Sequence, residues 1–124
     1  MSNILVIMFE IWKMENMDWL GYENEERYSF HHIDKKCNGG EKVINNGAVL
    51  HLSSHSYLHT IEYYDIDKYI YLNKILKDIN NQRYMPTKEQ LEQIRYVLIE
   101  FQNKYQGKVS SRDKPIIKKE YILK

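Results

Sequence analysis

The chain's 5 histidines all fall between His31 and His59, whereas its 11 tyrosines run from Tyr22 to Tyr121. Histidine is both a neutral metal ligand and a base near pH 7, so its confinement to one window is a chemical signal. His55 and His59 stand four apart in Ser54-His55-Ser56-Tyr57-Leu58-His59. On a helix both project from one face and can take adjacent positions on a metal ion. Alone, that spacing reads equally well as the polar side of a helix whose Tyr57 and Leu58 pack inward. His31 and His32 close a run of strand character, and successive strand residues point to opposite faces. One can then serve as ligand and the next as base; the plainer reading is a strand end with one buried and one solvated histidine. Asn46 lies between the two pairs, and its amide bonds in both directions, so it can hold a histidine or a loop in place. The composite His-His, Asn, His-x3-His is more specific than any of its parts and points to a metal centre with a base beside it. His51 fits a structural or supporting role better than ligation. Lys35, Lys36, Lys42 and Arg27 form the basic cluster near this window; they suit the phosphates of a bound polyanion, or are solvated loop residues.

These residues need a framework to position them. Residues 4–12 read as a strand or a short buried segment, and the acidic run 23–26 as a surface loop. The stretch 27–33, with Tyr28, Phe30 and Ile33, predicts a strand ending at the histidines. Asn38-Gly39-Gly40 and Asn45-Asn46-Gly47 carry turn chemistry. Residues 48–52 predict a second strand, with Ser53 or Ser54 as N-cap of the helix that follows. The apolar positions Ile66, Tyr69, Ile70, Leu72, Leu76 and Ile79 predict a helix ending near Asn80-Asn81. Thr87 with Gln90 three residues on is a capping box, and Leu91, Ile94, Leu98, Phe101 and Tyr105 form one apolar stripe behind it. Gly107 stands where a C-terminal cap would. The tail from Lys108 is basic, and Ile116-Ile117 could add an edge strand. The order is strand, loop, strand, helix and then a helical hairpin, an α+β class.

The block 28–62 resembles the ββα-metal fold of HNH nucleases, in the His-rich variety of colicin-type DNases and short phage or mobile-element proteins. The resemblance rests on Phe30-His31-His32-Ile33, Gly39-Gly40, Asn46-Gly47-Ala48-Val49-Leu50 and His55-Ser56-Tyr57-Leu58-His59. It covers about a third of the chain, and 63–107 is loosely similar to the helical extension of phage-type members. The resemblance implies that His31, His55 and His59 ligate one divalent metal, that His32 activates the attacking water, and that Asn46 constrains the loop and orients His32. The product would be a 5′-phosphate and a 3′-hydroxyl. Imidazole ligands suit Zn, Ni, Co or Mn better than Mg, so the metal stays open. Three positions depart from the family. His51 and Ser54 stand where many members carry zinc-binding cysteines, so no structural zinc is expected. Ser29 replaces the acidic residue that colicin-type members place two before the first histidine, which removes a carboxylate that would support the metal-bound state or the His31 ring.

Length and composition set the outer bounds. A chain of 124 residues allows one domain, here 1–124 with a core at 27–62, a helical extension at 63–107 and a basic tail at 108–124. With 43% hydrophobic and 28% charged residues it is a globular composition, not a disordered one. No apolar run approaches the ~20 residues of a membrane span, and the apolar 4–9 lacks the flanks of a signal peptide. The lone Cys37 cannot form an internal disulfide, which fits a reducing, cytoplasmic compartment. A net charge of +1 excludes a broad basic face, so DNA would be gripped locally. The expected function is therefore a metal-dependent endonuclease on DNA, with an RNase as a third, weaker alternative. The rival is a catalytically silent binding module of the same fold that acts on a protein partner; the near-neutral charge, the tyrosines and Ser29 favour it, while His32 and Asn46 oppose it.

Overall fold

The computed structural model describes residues 18–20, 28–35, 39–40, 44–82 and 86–105. Their architecture is α+β: two antiparallel strands followed by three helices. Strand β1 spans Tyr28–His32 and β2 spans Gly47–His51; α1 covers Leu52–Tyr64, α2 Ile66–Asn81 and α3 Lys88–Lys104. The register pairs Tyr28 with His51, Phe30 with Val49, His31 with Ala48 and His32 with Gly47. A short 3-10 turn at Ile44–Asn46 leads into β2. Residues 4–12, the acidic run, Cys37, Gly107 and the tail lie outside the described residues, as do Arg27, Lys36 and Lys42.

The strand-to-helix junction differs from the sequence expectation. β2 ends at His51, not Leu52, and α1 begins at once, with His51 in extended conformation as the N-cap and no side-chain cap of its own. Neither Ser53 nor Ser54 caps the helix. The cap comes instead from Asp18, whose carboxylate is fully buried. Its Oδ2 accepts the His51 N–H at 2.9 Å and the hydroxyl of Ser54, and its Oδ1 accepts Leu20 N–H at 3.0 Å. A carboxylate there both satisfies an orphan donor and faces the positive end of the helix.

One glycine in β2 is dictated by its neighbour. A Cβ on Gly47 would overlap the Phe30 ring across the sheet, and that ring packs edge-on against His32 with centroids 5.0 Å apart. Gly47→Ala is expected to destabilise by about 1–3 kcal/mol, the usual cost of overpacking, measurable as a lower denaturant midpoint at unchanged m-value.

The core joins the inner face of the sheet to all three helices. Trp19, Val49, Leu50, Tyr57, Leu58, Ile61, Leu72, Leu76 and Phe101 are among its buried members. The capping box of α3 forms as read: Gln90 N–H donates to Thr87 Oγ1 at 3.1 Å and Thr87 N–H to Gln90 Oε1 at 2.8 Å. Its stripe is also as expected, with Leu91, Ile94, Leu98 and Phe101 fully buried. Helix α2 departs in part. Tyr69, Leu72, Ile75, Leu76 and Ile79 face the core, but Ile66 and Ile70 remain 51% and 58% exposed. These two stand one turn apart and share a face turned away from that stripe.

The polar residues of α2 are as informative as its apolar ones. Asn73, Lys77 and Asn80 recur at helical spacing, and each donates to backbone carbonyls of the strand ends or the turn between them. Asn73 Nδ2 reaches Ile33 at 3.2 Å, Lys77 Nζ reaches Asn45 at 2.7 Å, and Asn80 Nδ2 reaches Ile44 and Gly47 at 2.7 and 2.8 Å. Asn80 is itself buried. A stripe that looks like a solvated face is a set of ties between α2 and the hairpin. Among the described residues no helix is long and apolar enough to cross a membrane.

Candidate metal centre

His31, His55 and His59 converge. Each offers one ring nitrogen, and these nitrogens lie within 4.8 Å of one another. The ring centroids of His31 are 5.2 Å from His55 and 5.8 Å from His59, and those of His55 and His59 are 5.0 Å apart. The two elements do what their periodicities require: α1 presents residues four apart on one face, and β1 turns His31 toward them. Exposure is graded. His31 is 1% exposed at the floor, His55 is half-buried and His59 is exposed at the rim. Three imidazoles on one side would leave the outer positions of a bound ion open.

The donor set fits a metal on an observation beyond proximity. A ligating histidine usually donates its other ring N–H to an acceptor, which fixes the tautomer. Ser29 Oγ donates its single hydrogen to the Leu50 carbonyl at 3.0 Å, so at 2.9 Å it accepts from His55 Nδ1–H, and His55 Nε2 is left with a bare lone pair. His59 Nδ1 lies 3.1 Å from Glu62 Oε1, an acceptor, which again leaves Nε2 bare. His31 Nε2 lies 2.7 Å from Asn73 Oδ1. All three rings are thus held by a polar partner outside the cluster. Ser29 supports His55 rather than the His31 ring.

Electrostatics keep two of the three, His31 and His55, neutral. Burial, opposed by the Asn73 bond and reinforced by His55, His59 and His32, lowers His31 to about 3. Burial, with His59 and His32 adding, lowers His55 to about 4. Neutral imidazole is the form that binds metal. Glu62 is pushed up by burial, but bonds from Lys35 and His59 outweigh this and hold it below the ordinary value. Both histidines stand below the unfolded value near 6.5, so the unfolded chain binds more protons between those limits. The metal-free protein is therefore expected to keep its full stability above about pH 6.5 and to lose it progressively toward pH 4. Chemical denaturation at pH 7.5, 6 and 5 in chelator checks this; an unchanged midpoint at pH 5 would contradict it.

The remaining candidates fall around this cluster. His32, next on β1, turns to the opposite face beside Phe30 and is partly buried. Asn46 accepts Asp34 N–H on Oδ1 at 2.7 Å and donates from Nδ2 to the Asp34 carbonyl at 3.0 Å, while its own carbonyl accepts Ile33 N–H at 2.9 Å. It pins the chain immediately after His32. Lys35 is ion-paired with Glu62, which ties it to the rim of the cluster through His59. His51 is not part of the cluster; its buried ring stacks on Tyr28 at 4.5 Å. A groove of about 520 Å³ opens beside the histidines, lined by Lys35, Gly39, Gly40, Glu62, Tyr69 and Asn73 among others. A larger groove of about 730 Å³ between α2 and α3 carries five carboxylates, Asp65, Asp67, Glu89, Glu92 and Glu100, against two lysines, Lys68 and Lys104, a net sign unsuited to a polyanion.

Three supporting residues escaped the sequence reading as partners. Ser29 is two before His31 and so on its strand face, and Glu62 is three after His59 on the helix; both placements follow from periodicity. Asn73 lies 42 positions from His31 and carries no local signal. No family model, curated protein or solved structure matches the chain.

Proposed function

We propose that the protein is a metal-dependent endonuclease of HNH type, its two strands and α1 forming a ββα-metal unit, acting on DNA. The observation that carries this reading is the convergence of His31, His55 and His59 on one set of ring nitrogens, with His32 adjacent on the strand and Asn46 holding the turn behind it. A divalent ion held by the three imidazoles would draw charge from a phosphate oxygen and leave room for water. His32, the last residue of β1 and near enough to His31 and His55 to act on both electrostatically, would take a proton from water attacking at the end of the strand. The water oxygen bonds to phosphorus as the P–O3′ bond breaks; the 3′-oxygen leaves with the bonding electron pair and takes a proton from solvent water to become a hydroxyl, and His32 gives its proton back to solvent. Asn46 keeps the backbone after His32 in place. Lys35, with Lys36, Lys42 and Arg27 from the same stretch of chain, would meet flanking phosphates.

Supercoiled plasmid incubated with Mg, Mn, Ni, Co or Zn in turn, with a chelator control, tests the reading. Nicking that needs metal and stops in chelator is the expected result. No cleavage with any metal, by folded protein that binds one, favours the second reading, a binding module. Exposed Tyr63, Ile66 and Ile70 supply an apolar surface that such a module would use.

A further inference from the structure

Helix α2 lies outside the unit that the histidine motif defines, yet it touches the most buried of the three ring systems. His31 Nε2 is 2.7 Å from Asn73 Oδ1, and Asn73 Nδ2 donates to the Ile33 carbonyl at 3.2 Å. The second bond decides the first. A carbonyl cannot donate, so the amide nitrogen must face Ile33 and the amide oxygen must face His31. An amide oxygen cannot donate either, so the proton of the His31 contact sits on Nε2. A neutral imidazole carries one such proton, and His31 therefore presents its lone pair on Nδ1. His55 and His59, anchored through Nδ1 to Ser29 and Glu62, present Nε2.

We infer that Asn73 is a positioning residue of the metal centre: it fixes the tautomer and ring orientation of His31, so that His31 binds through Nδ1 while its two partners bind through Nε2. The inference rests on the metal-centre reading and deepens it. It makes α2 a component of the site, because Asn73 is itself held on the helix face whose Lys77 and Asn80 are tied to the same hairpin. The Asn73 anchor serves the most buried of the three rings, His31, which is 1% exposed.

The test needs no nuclease activity. Long-range proton–nitrogen correlation spectra of metal-free protein should show His31 protonated on Nε2, and zinc should then shift its Nδ1 resonance. Zinc affinity, measured by competition with a chromophoric chelator, should weaken about 10- to 100-fold in Asn73→Ala, the range for lost outer partners of metal-bound histidines. Asn73→Asp keeps an acceptor facing Nε2 and should preserve both the tautomer and the affinity within a few-fold, which separates the anchor from general loss of packing. A His31 proton on Nδ1, zinc bound at His31 Nε2, or an Asn73→Ala affinity within twofold of wild type would each overturn the inference. A wild-type protein that takes up no zinc would remove the metal centre itself. An unchanged affinity in Asn73→Ala removes only the role of Asn73.

Discussion

Replacing His32 with alanine is expected to reduce metal-dependent cleavage of plasmid DNA roughly 100- to 10,000-fold, the range for loss of a general base. Metal affinity should stay within a few-fold of wild type. The two effects separate because β1 separates the residues. His31 faces α1 and is buried, whereas His32 turns to the other side and rests against Phe30. Removing the His32 ring takes away no member of the cluster and no partner of one. The measurement is initial nicking rate at saturating metal, beside zinc affinity by chelator competition. A His32→Ala protein that cuts at the wild-type rate would sink the mechanism while leaving the metal centre standing.

The second large effect concerns stability. Asp18→Ala is expected to cost roughly 3 kcal/mol, because hydrogen bonds to a charged group contribute about 1.5–3 kcal/mol and an orphaned buried donor costs about 1–3 kcal/mol. Three donors turn on that one carboxylate: the backbone N–H groups of Leu20 and His51, and the hydroxyl of Ser54. Asp18→Asn should recover only part of the loss. Its single oxygen can serve one side of the site, while its amide hydrogens point at donors on the other. Denaturant melts of the two variants check the order, wild type above Asn above Ala. Equal midpoints for all three would show that α1 needs no cap from that residue.

Much of the framework was legible because it is local. The capping box at Thr87 and Gln90, the apolar stripe of α3 and the turn at Asn46 are written in neighbouring residues. The convergence of His55 and His59 follows from helical spacing alone. What the sequence could not show is contact across distance. The serines at 53 and 54 satisfy every local rule for an N-cap, yet a carboxylate 33 positions before His51 takes that role, and Ser54 becomes its donor. Ile66 and Ile70 fit an apolar pattern by type, but the packing of α2 selects a different face. The ties from the polar face of the same helix, Asn73, Lys77 and Asn80, have no local signature and emerge only when the hairpin carbonyls are placed against it. Ser29 read as the loss of a carboxylate at its position; in place it is a neutral acceptor that serves a different histidine.

The spacing of these ties along the chain has a consequence for rates. The helical turns close within a few residues, but His31 meets Asn73 across 42 positions, Ser54 meets Asp18 across 36 and Asn80 meets Gly47 across 33. Long loops must close before any of these contacts returns free energy, so such contacts form late. An ion gripped by β1 and α1 together finds its full set of ligands only when that closure is complete. It would then stabilise the native state without stabilising the barrier before it, and its effect would fall on unfolding. Metal would lengthen the life of the folded molecule and leave the speed of folding unchanged.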